Sequence, residues 1–354
     1  MKDGVRACRG LDENELRQIK RLSKMCNEAD GIKIKLNGDM LRERSRSEIN
    51  DFLYYDQGEL IGFIGIYSFI STEVEISGMV HPDYRRGGVF SRLVAAATEE
   101  CRRRGVPRLV FICQHGSASG AAFLTALGAE FLYSEFRMEM QKYNGPQIEL
   151  IAASGMEIQL RKAQWEDSEL LVKLNMSGFN MQEQDARAYV EKSLGGRHEQ
   201  TLIAELGQIP IGKISYELDE GEAFIYGFCV LSAYRGKGLG RAMLSQTIQI
   251  LQQHDPDALS GGRATGRLDD RANGGVNGKL DDRANDKGNA RVNARYNTRS
   301  NAKLDARLST RISLEVETAN EGALGLYLAC GFQVINRNDY YVLMREIKGR
   351  QEIL

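Results

Sequence analysis

The sequence predicts an α/β chain with a mixed sheet, folded as two successive units of one design. Three observations predict it. Strand-like runs rich in Val, Ile, Phe and Tyr alternate with segments whose apolar residues recur at helical spacing. The same order of elements occurs twice along the chain. The 354 residues, 42% of them hydrophobic, exceed one small core and suffice for two.

The elements follow in order. Residues 11–29 (LDENELRQIKRLSKMCNEA) carry apolar positions at helical spacing and predict a helix. Alternating runs at 51–57, 59–69 and 74–81 predict three strands, with short polar or Gly-containing breaks between them. A Gly-rich turn then leads into a helix over 89–104, a strand over 109–113, a helix over 118–127 and a strand over 130–140. The second unit opens with a strand at 156–163 and helices over 165–176 and 183–194. Strands at 201–206, 210–218 and 222–231 follow, then a second Gly-rich turn and a helix over 239–253. A strand at 313–317, a helix over 321–329 and two strands, FQVI and YYVLMRE, complete the unit. The Gly-Pro turn in QKYNGPQIELIAASG (141–155) separates the units, placing them at 1–145 and 156–354.

One segment departs from this pattern. Residues 258–311 are dominated by Arg, Asn, Asp, Ala and Gly, and LDDRAN occurs at 268–273 and again at 280–285. Such a composition cannot offset the entropy of ordering, so a disordered insertion is expected inside the second unit. It carries roughly twice as many Lys and Arg as acidic residues, which raises the alternative of a nucleic-acid arm. An expanded surface loop is the simpler reading, because lengthening a loop costs little.

Bulk properties exclude several classes. A net charge of −1 argues against capture of nucleic acid or anionic membrane by the protein as a whole. No apolar run reaches the roughly 18 residues that span a bilayer. The start, MKDGVRACRGLDENELRQ, lacks the apolar stretch of a secretory leader, so a cytoplasmic location is expected. The cysteines Cys8, Cys26, Cys101, Cys113, Cys229 and Cys330 are scattered with no CxxC, so neither a metal site nor a disulfide framework is expected.

The chemical signal lies in EAFIYGFCVLSAYRGKGLGRAML, residues 222–244, where a strand runs through Arg235-Gly236-Lys237-Gly238-Leu239-Gly240 straight into a helix. Such a turn aims free backbone N–H groups, and the positive end of the helix dipole, at an anion. Glycine lets a phosphate approach without a Cβ in the way, and Arg235, Lys237 and Arg241 add cations. The turn lacks the Lys-Ser or Lys-Thr ending of a triphosphate loop. It also sits deep in its unit, unlike a dinucleotide fingerprint.

This R-x-x-G-x-G turn after a strand resembles the acyl-CoA pyrophosphate loop of the GNAT superfamily of N-acyltransferases. A second segment, LEVETANEGALGLYLACGF (314–332), is similar to that superfamily's following strand and helix through Asn320, Ala323, Leu326, Tyr327, Gly331 and Phe332. The resemblance covers 156–354 apart from the insertion and, more loosely, 1–140. It implies two tandem GNAT-like domains and an enzyme moving an acetyl or short acyl group from acetyl-CoA directly to a primary amine, on a small molecule or a peptide. Backbone groups near Phe228 and Val230 would pair with the pantetheine amides, and the amides of residues 235–241, including Leu239, would hold the pyrophosphate. Asn320 would contact the CoA arm, and Tyr327 would protonate the departing thiolate. Glu222 and Glu317, on or beside the strands lining the gap, are candidates for the base, with Tyr226 a further polar group on the same strand.

The first unit keeps Arg85 and Gly88 of the turn, but Phe90 replaces the last small residue, Ser117 takes the Asn position and Leu124 the Tyr position. Leucine cannot donate a proton, so transferase chemistry is expected in the second unit only. A non-catalytic acyl-CoA-binding or sensing protein is the alternative, and the intact Asn320 and Tyr327 argue against it.

Overall fold

The structure, a computed structural model, describes residues 3–44, 46–140, 157–196, 199–219, 221–253 and 311–344. The boundary segment 141–155 and the repeat-bearing part of the insertion lie outside the described residues. The first unit runs β1 (Gly4–Cys8), α1 (Glu13–Asp30), α2 (Gly38–Arg42), β2 (Asp51–Asp56), β3 (Glu59–Ile70), β4 (Glu73–Val80), α3 (Val89–Arg103), β5 (Arg108–Gln114), α4 (Ala118–Leu127) and β6 (Glu130–Met140). The second runs β7 (Ile158–Lys162), α5 (Ser168–Phe179), α6 (Glu183–Gly195), β8 (Glu199–Leu206), β9 (Ile209–Asp219), β10 (Glu222–Val230), α7 (Leu239–Gln253), β11 (Arg311–Glu317), α8 (Glu321–Ala329) and β12 (Phe332–Met344). The mixed α/β architecture and the doubled order of elements match the expectation.

Local chemistry sets the ends of these elements. Asp12 and Glu15 form a reciprocal capping box at the start of α1, and Gly31 closes the helix in the left-handed conformation. Asn320 caps α8 as Ser117 caps α4, each side-chain oxygen accepting from the backbone N–H three residues on. On α7 the buried residues Leu239, Ala242, Met243, Ile248 and Leu251 form the stripe that docks the helix on the sheet.

The twelve strands of the described residues join one sheet, in the order β1-β2-β3-β4-β5-β12-β6-β11-β10-β9-β8-β7. Each flank is an antiparallel run of four strands whose last member pairs parallel with the next, β4 with β5 and β10 with β11. The middle is an exchange. The final strand β12 pairs with β5 of the first unit, and β6 pairs with β11 of the second, while β6 and β12 pair with each other. Each strand also delivers side chains to the other unit's core: Met138, Phe136 and Met140 of β6 pack into the second unit, and Tyr341 and Leu343 of β12 into the first. The two strands expected at the C-terminus are one continuous strand with register shifts at Val334/Asn336 and Tyr340/Tyr341.

The ladder between β9 and β10 leaves no room for a side chain at Gly212, where a Cβ would lie 2.3 Å from the Cys229 carbonyl oxygen. Backbone cannot yield as a flexible side chain can. Gly212→Ala is therefore expected to lower stability by roughly 1–3 kcal/mol, read from the denaturant midpoint. Among the described residues no helix is long and apolar enough to cross a membrane.

Candidate active site

Both units open a gap in the sheet at equivalent places. The β10–β11 ladder joins Glu222–Ile225 to Arg311–Leu314 and stops there, although β10 continues to Val230. Tyr226–Val230 therefore presents a strand edge, able to pair with an extended amide-bearing ligand. The edge is also kinked: the β9–β10 register shifts between Tyr226 and Cys229, and Gly227 sits at φ 56°. Phe228 and Val230 turn toward α7 and pack against the main core of this unit.

The strand leads through a 3₁₀ turn, Ser232–Tyr234, to the glycine-rich loop. Gly236 and Gly238 take φ 74° and 79°, the left-handed region that favours glycine. Arg235 folds back, its Nε donating to the Val230 carbonyl at 2.7 Å, and so fixes the loop against the strand end. Lys237 donates to the Ala233 carbonyl at 3.0 Å and lies over the Tyr234 ring. Arg241 is exposed on the first turn of α7. The first amides of a helix have no partner inside it, so Leu239, Gly240 and Arg241 offer donors at this corner. A Cβ on Gly240 would stand 3.6–3.7 Å from Val230, Leu326 and Phe228, which places this glycine on the wall of the same space.

Tyr327 lies on α8 across that space, its ring 6.4 Å from Phe228 and 6.1 Å from Phe332. Burial pushes its phenol up to about 12, so it holds its proton at neutral pH. Asn320 commits its Oδ1 to Ala323 N at 3.1 Å, and its exposed side chain keeps the amide NH₂ for other partners. Of the two carboxylates, Glu317 is exposed at the end of β11. Glu222 begins β10 and is held by Arg137, Arg311 and the Ser313 hydroxyl. Burial raises its pKa, and these partners outweigh burial and bring it below the usual range. Tyr226 has a buried hydroxyl beside Glu199, and burial raises its pKa strongly.

The first unit repeats the geometry with different side chains. Arg86 and Gly88 take φ 67° and 76°, as Gly236 and Gly238 do, so the two turns share one backbone path. Arg85 is spent in a bidentate pair with Asp30, at 2.7 and 2.9 Å. The Phe90 ring lies edge-on to Phe123, 4.8 Å between centroids, and 3.0 Å from where a Gly78 Cβ would be. Gly78 and Phe90 correspond to Phe228 and Gly240, so the ring that this pair of positions contributes comes from the helix in the first unit and from the strand in the second. A cleft of about 520 Å³ remains here, lined by Ile34, Ile76, Val80, Phe90, Phe111 and Phe123 among others. Leu124, at the Tyr327 position, is buried.

Sequence reasoning missed Lys213. It lies on β9, 1% exposed, with Ile214 and Tyr216 facing the α7 core while Lys213 and Ser215 face α5 and α6. Its Nζ is 3.0 Å from the position a Gly227 Cβ would take, and it sits over the rings of Phe179 and Tyr189 at 5.3 and 5.4 Å. The readable signal was a lysine at the centre of the strand PIGKISYEL, flanked by Gly212 and Ile214.

A model of the Acetyltransferase (GNAT) family matches residues 18–129 and 159–259. A search of curated proteins returned no match. Among solved structures, a GCN5-related N-acetyltransferase from Sphaerobacter thermophilus aligns with a TM-score of 0.66 at 15% identity, over 97% of this chain and 96% of that one. A tandem GNAT protein from the clavulanic acid biosynthesis pathway, in a structure without AcCoA, aligns with a TM-score of 0.64 at 13% identity, over 98% of this chain and all of that one. Likeness at these identities is likeness of fold. The two family segments fall one in each unit, and the chain belongs to the GNAT acetyltransferase family as a tandem member.

Proposed function

We propose that the second unit transfers an acetyl or short acyl group from acetyl-CoA directly to a primary amine on a small molecule or peptide. The observation that carries this reading is the free edge of β10 at Tyr226–Val230, which ends in a glycine turn and helix start with Tyr327 alongside. In this reading the pantetheine amides pair with the edge near Phe228 and Val230. The pyrophosphate rests on the amides of residues 236–241 with Arg241 and Lys237 nearby, the expected Arg235 amide being spent on the Ser232 carbonyl at 3.2 Å. Asn320 donates to the CoA arm. Tyr327 protonates the leaving thiolate as a general acid. Glu317 remains open to solvent as a proton acceptor, whereas the oxygens of Glu222 are already claimed by two arginines and a serine.

Titration calorimetry with acetyl-CoA tests the reading on wild type, Gly238→Trp and Phe90→Trp. One site per chain is expected, weakened at least roughly tenfold in Gly238→Trp, where the side chain meets both a left-handed backbone and the approaching phosphate. Phe90→Trp should bind as wild type does. A second reading, an acyl-CoA-binding protein without turnover, is favoured by the open first-unit cleft. It predicts a site that survives Gly238→Trp and is lost in Phe90→Trp, with no acetylated amine.

A further inference from the structure

We propose that Lys213 is the group that takes the proton from the acceptor amine. This rests on the second unit being the transferase and adds a residue that the reading above does not contain. The geometry is the first support. A thioester threaded along the free edge of β10 reaches the kink at Gly227, and on the α5–α6 side of that kink stand Lys213 Nζ, Ser215 Oγ and the Tyr189 hydroxyl, at 3.0, 3.5 and 3.5 Å from the missing Cβ. Gly227 is thus the opening through which the lysine meets the strand edge.

The fold itself does not require the lysine. The backbone bond from Leu231 to Ile211 in the second unit matches that from His81 to Ile61 in the first, which aligns Lys213 with Phe63. Phe63 is a fully buried core residue. One unit therefore fills this position with an apolar ring, and the other buries an ammonium there at a desolvation cost. Among the described residues Lys213 has no ion pair or hydrogen bond to offset that cost. The titratable groups around it are Cys229, opposite it on β10, and Tyr189 on α6, with Tyr226 and Glu199 beyond. Asn175, one turn before Phe179 on α5, also buries an unpaired oxygen. Burial pulls the lysine down to about 8, so a useful fraction is neutral near physiological pH.

The steps balance. The acceptor arrives as an ammonium and gives one proton to neutral Lys213. Its nitrogen attacks the thioester carbonyl carbon, the C–N bond forms and the C–S bond breaks. Tyr327 protonates the thiolate, and the resulting phenolate takes the second amine proton. Lys213 then returns its proton to solvent.

The test follows thiol release from acetyl-CoA with benzylamine, tyramine, spermidine and glucosamine as acceptors, across pH 6–10. In wild type kcat/KM should rise through a pKa near 8. Lys213→Met should lose roughly 100-fold in kcat and the limb with it, while acetyl-CoA affinity stays unchanged. Lys213→Arg, which keeps the charge and cannot lose it, should not restore the rate. Folding is checked separately. The unfolded lysine binds a proton more tightly than the folded one, so wild type is penalised fully below about pH 8 and the penalty fades toward pH 10.5. Lys213→Met should therefore be no less stable than wild type at neutral pH. An active wild type with either variant retaining its rate and pH limb overturns the role of Lys213 alone. A wild type that acetylates none of these amines overturns the transferase reading and the lysine's role together.

Discussion

A chain ending at Gly331 should lose the fold of both units, not only of the one it shortens. The strand removed, β12, covers the outer edge of β5 in the first unit through Asn338–Met344 and the edge of β6 through Phe332–Val342. With it go Phe332 and Tyr340, at 1% and 0% exposure, and Val342, Tyr341 and Leu343 from the cores on either side. Burying an aliphatic or aromatic side chain contributes about 1.5–3 kcal/mol, so the loss is on the order of 10 kcal/mol. That is comparable to the whole stability of an ordinary domain, roughly 5–15 kcal/mol. Proton–nitrogen correlation spectra of the truncated chain, and of residues 1–140 alone, should lack dispersion. A dispersed spectrum from residues 1–140 would mean that β6 can fold back onto β5 and that the exchange is dispensable.

Tyr327→Phe should lower kcat by roughly 10²–10³-fold and change acetyl-CoA affinity by no more than about twofold. The ring fills the space between Phe228 and Phe332 with or without its oxygen, so the core and cofactor wall survive the change. Only the acid is lost. With the phenol held near 12 by burial, the wild-type rate should show no loss from Tyr327 ionising below about pH 11. Steady-state kinetics paired with calorimetry separate the outcomes. Equal losses in turnover and affinity would make Tyr327 a packing residue.

Much of this architecture was legible in the sequence. Helices 118–127 and 321–329 fall where expected because each combines a capping side chain, Ser117 or Asn320, with a terminating turn at Gly128 or Gly331. The glycine turn at 235–240 was legible as a strand–turn–helix, and α8 with Tyr327 borders the same space because β11, which precedes it, pairs parallel with β10. Other features were hidden for physical reasons. β1 is five residues long, too short for its alternation to rise above chance. The polar run Asn336–Asp339 reads as a turn, yet it stays in β12. There Asp339 accepts from Ser134, Arg337 and His115 at 2.7, 2.7 and 2.9 Å, partners that no local pattern shows. The exchange of β6 and β12 was unreadable because an apolar strand edge does not name the strand that will cover it. Lys213 escaped notice because a single charge in an apolar strand looks like an accident until its surroundings are known.

The exchange also has a bearing on how the protein is made. As the chain leaves the ribosome, β5 emerges early and its proper neighbour β12 among the last described residues, some 220 positions later. At about 5–20 residues per second the nascent first unit waits roughly 10–45 s with an open edge. Throughout that interval β6 is already present and sequence-adjacent, a ready but incorrect occupant of the same edge. Productive synthesis then depends on β6 remaining displaceable, and slow release of a wrongly closed first unit becomes the natural bottleneck in biogenesis.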